Sequence, residues 1–325
     1  MLLIVMCNST LTDLRNDHWR EIFGSIMVTI SLLATMENTI VLYVLRRYHT
    51  LHTISYKILS VLAIANLFTG VILGPLFSAQ LFNEHILNNC YVDLTRRYIS
   101  AVLLGASSLT LALIAYDRRE HLKSLHCYQM SKKKFYWVIT LCWVLPCMMP
   151  AFRLVDEDEK AYGIVIIVFN VLIGTVIITC YASLLFAIKS HRKNSRQRQA
   201  VVYLQNEMRA GKAIVTIIIL SLLMLAPTLI HCILKLSQQM SNTTAAESYI
   251  FSMTLGMLNA VVNPVVYCYR IPVLKTHIIR CLRLHTRKYR ISATACRFTV
   301  NGISPVSTVH WNRATSRINH AFKGE

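Results

Sequence analysis

The side chains of this sequence best placed to do chemistry are polar groups set inside long apolar runs: Glu37 and Asn38, Asn66, Ser107 and Ser108, Asn170, and Asn259 and Asn263. In such surroundings a polar group is costly unless it meets another polar group or a hydrated space, so each marks an interhelical hydrogen bond or a pathway. Charges stand at the edges of one run, with Arg96 and Arg97 before it and Asp117 and Arg118 at its end. A guanidinium is planar and always charged, which suits it to carboxylates, phosphates or the carbonyl end of a partner helix. None of this is a catalytic constellation. The sequence has no G-x-S-x-G, no H-E-x-x-H, no Gly-rich phosphate loop, no C-x-x-C and no His/Cys metal cluster. Neither an enzyme with catalytic residues nor a metal or cofactor site is therefore expected, and the chemistry is that of recognition and switching.

The elements that must position these groups follow from hydropathy. Hydrophobic residues make up 54% of the 325 and charged ones only 15%, well below the roughly 25% of a soluble domain. Seven stretches, free of Asp, Glu, Lys and Arg except for Glu37, are long enough for a bilayer core: Ile22 to Leu45, Ile58 to Phe82, Tyr98 to Tyr116, Phe135 to Phe152, Tyr162 to Ile188, Ala213 to Leu234 and Ser248 to Tyr269. Barrel strands would be about 10 residues long and alternating, so these are helices of an all-α, seven-span bundle. The expected organisation is an extracellular N-terminus over 1–21, a transmembrane domain over 22–269, an amphipathic eighth helix over 270–289 and a disordered cytoplasmic tail over 290–325.

Orientation follows from charge. The segments before the first span and between spans 2 and 3, 4 and 5, and 6 and 7 hold 7 basic and 10 acidic residues, whereas the other loops and the tail hold 27 basic and 4 acidic. Basic loops stay in the cytoplasm, which puts the N-terminus outside a multi-pass plasma-membrane protein. Met1 to Met6 are apolar but lack a basic flank, so the first span is expected to act as its own insertion signal. Two sequons, at Asn8 and Asn242, fall on the outer side and are candidate glycosylation sites. The formal charge of +19 then has a lipid-headgroup explanation, and nucleic acid is not an expected partner. Cys7 and Cys90 lie outside, where they could pair, although spacing alone does not establish it.

In order along the spans stand Asn38; Leu62-Ala63-Ile64-Ala65-Asn66; Asp117-Arg118-Arg119; Trp143 and Pro150; Tyr181; Pro227; and Asn263-Pro264-Val265-Val266-Tyr267. This series resembles the rhodopsin-like G-protein-coupled receptors across all seven spans, to about residue 285. Helix 2 carries Asn66 where the family pattern has Asp, and Arg119 takes the place of its tyrosine. The resemblance implies a cell-surface receptor that opens a groove by movement of the inner half of helix 6. A heterotrimeric G protein would enter that groove, with arrestin and receptor kinases as further partners. Pro227 supplies the kink, because it removes a backbone hydrogen bond. The resemblance also implies an Arg118 to Glu207 latch, with Asp117, Tyr181, Asn263, Pro264 and Tyr267 in the switch, beside a polar core of Asn38, Asn66, Ser107 and Asn259.

The departures narrow the choice. Asn66 is neutral where a carboxylate helps relatives hold sodium, so weak or absent sodium modulation is expected. Leu225 stands where a tryptophan is usual, Ile173 where a helix 5 proline is usual, and Asp93 where the helix 3 disulfide cysteine is usual. The segment Arg153 to Tyr162 has no cysteine. With Glu37-Asn38, these features look most like the melanocortin, lysophospholipid and cannabinoid receptors. Ser100 sits where amine receptors have aspartate, and Met257 at the retinal-linking position, with no lysine in span 7, which excludes a retinal photoreceptor. Leu76 and Arg97 occupy two of the three acidic positions of melanocortin receptors, which argues against such a peptide. Arg96, Arg97 and Ser100 become the candidate ligand contacts, for an anionic lipid or another anionic small molecule. The alternative for the arginines is snorkelling, or pairing with Asp93 and the acidic run Asp156 to Glu159.

After Tyr267, Ile271, Leu274, Ile278, Ile279 and Leu282 alternate with basic residues as an interfacial helix would, and Cys281 is a palmitoylation candidate there. Two other readings remain: a receptor-like scaffold that has lost coupling, given Asn66, Leu225 and Arg119, and a seven-helix transporter, which Glu37 as the one charge within the spans does not favour.

Overall fold

The computed structural model describes residues 17–123, 130–155, 159–194, 216, 219–271, 273–281 and 283. The first span is α1 (Asp17–Arg47). The second is α2 (Ile54–Phe68), continued through a wide π turn, Thr69–Leu73, into α3 (Gly74–Phe82). A short α4 (Glu84–Leu87) follows, capped by the Asn83 carboxamide, which accepts from the His85 and Ile86 amides. The third to seventh spans are α5 (Cys90–Lys123), α6 (Lys132–Val155), α7 (Glu159–Asn194), α8 (Ile219–Leu236) and α9 (Asn242–Arg270). Among the described residues there is no strand.

Every span whose ends are described runs past its apolar stretch. The third was expected over Tyr98 to Tyr116 and occupies Cys90–Lys123. Hydropathy marks only the part that sits in hydrocarbon, whereas the helix continues for as long as its polar turns remain solvated. By length and composition five described helices can cross a membrane, the first, second, third, sixth and seventh spans, and α7 contributes a shorter apolar stretch, Gly163–Thr179.

The bundle is turned inside out relative to a soluble protein. Leu32, Met36, Trp137, Met148, Phe186 and Leu223 are all exposed, to between 54% and 74%, a surface that water would not tolerate. The polar residues Asn38, Asn66, Ser107, Thr110, Asn259 and Asn263 are buried instead. α5 is central, packing on α2, α6 and α7, while α1 lies against α3 and α9. A core of Met27, Ile30, Leu73, Phe77, Leu103, Ile250 and Met257 joins spans 1, 2, 3 and 7. Spans 1 and 2 touch at backbone distance, because Ser31 Oγ donates to the Gly70 carbonyl.

The chain divides into two compact units, Met1–Thr276 and His277–Glu325. Residues 273–281 are helical, with Leu274 and Ile278 buried and Val273, Lys275, Ile279 and Arg280 exposed.

Candidate functional site

The polar residues of the spans tie one helix to another in three places. Asn38 Nδ2 donates to the Ala34 carbonyl at 2.8 Å and across to the Ala260 carbonyl at 3.1 Å, tying α1 to α9. Ser107 Oγ donates to Asn66 Oδ1 at 3.1 Å, and Ser221 Oγ to Asn259 Oδ1 at 2.8 Å, so α2 is tied to α5 and α8 to α9. Each such bond within a membrane is worth about 0.6 kcal/mol, so together they set register more than stability. Asn263 is fully buried, one residue before Pro264 inside α9, and neither of its carboxamide atoms has a protein partner among the described residues. Its amide is free to change partner if the bundle repacks.

At the end where α5 finishes, Asp117 is 2% exposed. Its Oδ2 accepts from Ser55 Oγ of α2 at 2.7 Å, and His121, one turn on, approaches both: Nε2 lies 3.3 Å from Ser55 Oγ and 3.9 Å from Asp117 Oδ1. The acid beside Arg118 therefore also pins α5 to α2. Ser55 and His121 were missed by sequence reasoning, because a serine in a first helical turn and a histidine beyond an apolar run carry no motif. Glu207 and Asn8 lie outside the described residues, as do the side chains of Tyr181 and Tyr267. Pro227 is inside α8, and Cys281 is a free thiol on the helix over 273–281.

The opposite end of the bundle holds a cavity of about 500 Å³ between α5, α7, α8 and α9, within the usual range of a small-molecule site. Arg97, Ser100 and Ser108 line it from α5, Lys160 and Asn170 from α7, Leu225, His231 and Lys235 from α8, and Tyr249 from α9. Arg96 does not line it. Arg96 is fully buried, and it donates through Nη2 to Asp93 Oδ1 at 2.5 Å and through Nη1 to the Tyr249 hydroxyl at 2.7 Å, with its guanidinium 4.6 Å from the centre of the Phe77 ring. Arg97 donates to the other oxygen of the same carboxylate, Asp93 Oδ2, at 2.7 Å. The pairing with Asp93 that sequence left open is thus made by both arginines, and only the second also faces the cavity. Ser100 turns its hydroxyl to the Arg97 carbonyl at 2.8 Å.

Lys160, His231, Lys235 and Tyr249 are the cavity residues that sequence did not single out. Basic residues at span ends are normally headgroup anchors, so only packing distinguishes these. His231 shares a 2.7 Å hydrogen bond with Ser248, joining α8 to α9 beside the cavity. Cys90, at the start of α5, is disulfide-bonded. Among the described residues no group of His, Cys, Asp and Glu could hold a metal ion.

The neutral pair Asn66 and Ser107 bears on cation binding. A hard cation wants anionic oxygen, and Asn66 Oδ1 is an amide oxygen already accepting from Ser107. The thermal midpoint of the purified protein is accordingly expected to be the same in sodium chloride as in choline chloride at equal ionic strength. A rise specific to sodium would show that the core binds the ion without a carboxylate.

The seven-helix arrangement is that of squid rhodopsin, matched with a TM-score of 0.73 at 17% identity over 83% of this chain and 87% of that one. Sheep adenosine receptor A3 is 22% identical over 294 residues, covering 82% of this chain and 91% of its own length. Melanopsin of Rutilus rutilus is 23% identical over 297 residues, and the match spans 81% of this chain but only 59% of that longer protein. The model of the family described as 7 transmembrane receptor (rhodopsin family) matches residues 37–267, from the first span through the Asn-Pro-x-x-Tyr of α9. A match of that extent covers both the cavity and the Asp117-Arg118 face, and this multi-pass membrane protein therefore belongs to the rhodopsin family of G-protein-coupled receptors.

Proposed function

We propose that the chain is a plasma-membrane receptor, N-terminus outside, that converts binding of an extracellular ligand in the α5–α9 cavity into heterotrimeric G-protein activation at the Arg118 end. The family match over residues 37–267 carries this reading. Ligand binding favours one of two packings of the bundle, and α8 swings about Pro227. In the resting packing Arg118 is latched to Glu207. In the active one it is released to line a groove with Tyr181 and Tyr267, next to which arrestin and receptor kinases would act. Asn8 and Asn242 would carry glycans on the outer side, and Cys281 would be palmitoylated on the inner.

The ligand is an anionic lipid or another anionic small molecule, as the cationic lining of the cavity suggests. The names of the relatives do not settle it. Melanopsin is an opsin, yet α9 here contains no lysine and has the buried Met257 at the position that would link retinal. The melanocortin, lysophospholipid and cannabinoid grouping rests on the Glu37-Asn38 pair and the lack of cysteine in Arg153 to Tyr162, while the relatives found are adenosine receptors and opsins.

The test needs no ligand. Basal activation of each G-protein class is measured in cells for wild type, Arg118→Ala and Glu207→Ala at equal surface expression. Glu207→Ala should raise the signal several-fold and Arg118→Ala should abolish it. Silence in all three, with the proteins at the surface, would favour a scaffold without coupling, the reading that Asn66 and Arg119 support.

A further inference from the structure

The fourth span opens on charge. α6 begins with Lys132, Lys133 and Lys134, all three exposed, and no acidic residue stands in its first turn. Lysines there work against the helix dipole and against one another, so the helix itself gives no reason for them. Lys134 is engaged within the bundle: its Nζ donates to the Tyr116 hydroxyl at 3.2 Å and lies 5.2 Å from the centre of that ring. Tyr116 directly precedes Asp117, so α6 starts at the Arg118 end. Lys132 and Lys133 make no ion pair among the described residues.

Residues four apart on a helix share a face, separated by about 6 Å along the axis. Lys132 therefore stands above Tyr136 and Lys133 above Trp137, aromatic residues that are 62% and 64% exposed. Below Trp137 the same face continues through Leu141, Leu145 and Met148, exposed to between 47% and 64%. From Trp137 to Met148 is about 16 Å, close to the depth of one leaflet. Unpaired ammoniums, interfacial aromatic rings and an apolar stripe thus succeed one another in the order of a phospholipid's head, glycerol and chain.

We propose that this outer face of α6, apart from the cavity, is a site for an inner-leaflet phospholipid whose head carries a phosphomonoester, as phosphoinositides and phosphatidate do. The choice of head follows from charge. Two ammoniums with no acid beside them are matched by about two negative charges, and a phosphomonoester supplies roughly 1.5 to 2 at neutral pH. Phosphatidylserine has a diester and a net charge of only about one. A lipid held there adjoins the Lys134 to Tyr116 contact and so braces α6 on α5, one residue from Asp117. The site does not depend on the orientation proposed above; its assignment to the inner leaflet does.

Full-length protein purified in a neutral detergent is offered phosphatidylinositol bisphosphate, phosphatidate, phosphatidylserine and phosphatidylcholine with the same chains, and the lipid retained is counted by native mass spectrometry. Soluble inositol trisphosphate is the fifth probe. The first two lipids should be retained severalfold over phosphatidylserine, and phosphatidylcholine least of all. Lys132→Gln with Lys133→Gln removes two charges, each worth about fivefold at an anionic surface, so retention of the bisphosphate should fall about thirtyfold. Arg46→Gln with Arg47→Gln is the control, because it takes the same charge from the exposed last turn of α1 at the same end of the bundle, and it should retain lipid as the wild type does. All four residues are exposed, so both double variants should keep the wild-type thermal midpoint.

Equal retention of phosphatidylserine, or an equal loss in the α1 control, would mean that any basic patch on the bundle behaves alike. Inositol trisphosphate held as tightly as the lipids would make the ligand a soluble phosphate. Each overturns the proposal, as does retention unchanged in Lys132→Gln with Lys133→Gln, or no retention of any probe. Orientation fails separately: an N-terminal epitope that intact cells conceal would overturn the leaflet and leave the retention results standing.

Discussion

Arg96→Ala will lower the thermal midpoint of the purified receptor by on the order of 10 °C and remove most of it from the cell surface, whatever the ligand proves to be. Arg96 is 0% exposed, and its guanidinium is shared among Asp93, the Tyr249 hydroxyl and the face of Phe77. Removing one partner of a buried ion pair costs about 3–5 kcal/mol. The loss includes a cation-π contact worth about 2 kcal/mol when desolvated. Asp93 keeps Arg97, which holds the cost below that of a stranded charge. Arg97→Ala, by contrast, leaves the buried half of the pair intact and should shift the midpoint much less while changing binding. Tyr249→Phe should cost about 1 kcal/mol, the value of one hydrogen bond. If Arg96→Ala kept a wild-type midpoint and altered only ligand response, the two arginines would have exchanged roles.

Gly70→Leu is expected to prevent folding altogether. A Cβ at Gly70 would lie 2.6 Å from Thr35 Oγ1, 2.8 Å from the Thr35 nitrogen and 2.9 Å from the Ser31 carbonyl oxygen, and two of those atoms are backbone that no rotamer change can move. α1 would have to separate from α2, breaking the bond from Ser31 to the Gly70 carbonyl and opening the core around Ile30 and Leu73. Even Gly70→Ala should reduce surface expression severely. Gly163→Ala is the control, since a Cβ there meets nothing within 4 Å and alanine favours the helix by about 1 kcal/mol. Surface labelling of the three variants checks this directly. A well-expressed Gly70→Leu would mean that spans 1 and 2 are farther apart than described.

How much of this was legible in the chain itself varies with the kind of physics involved. The spans were legible because burial in lipid demands a long, charge-free run, and Asn66 with Ser107 was legible once family motifs had aligned α2 and α5. The choice between Arg96 and Arg97 was not. Neighbours on a helix point about 100° apart, and which of them meets a cavity depends on how the helix is rotated against its partners. Tyr249, Lys235 and Lys160 come from three different spans and share no pattern along the chain. Asp117 was found as a motif, but Ser55, 62 residues away, is joined to it only by the packing of α2 on α5. Charge counting explained the basic residues by the membrane, and so it gave no reason to look at those that line the pocket.

The wide turn at Thr69–Leu73 has a consequence for phase. A π turn takes in one residue more than an α turn, so everything after it is advanced by one position, about 100°, relative to a helix that had continued unbroken. Phe77 comes a few residues later, and its ring lies beneath the Arg96 guanidinium. Had Ile54 to Phe82 been a single regular helix, the angular position now held by Phe77 would belong to a neighbour in the sequence. The turn thus works as a vernier, bringing the half of the second span nearest the cavity into step with the charged node of the third while the other half keeps its own step with Ser107 and Asp117.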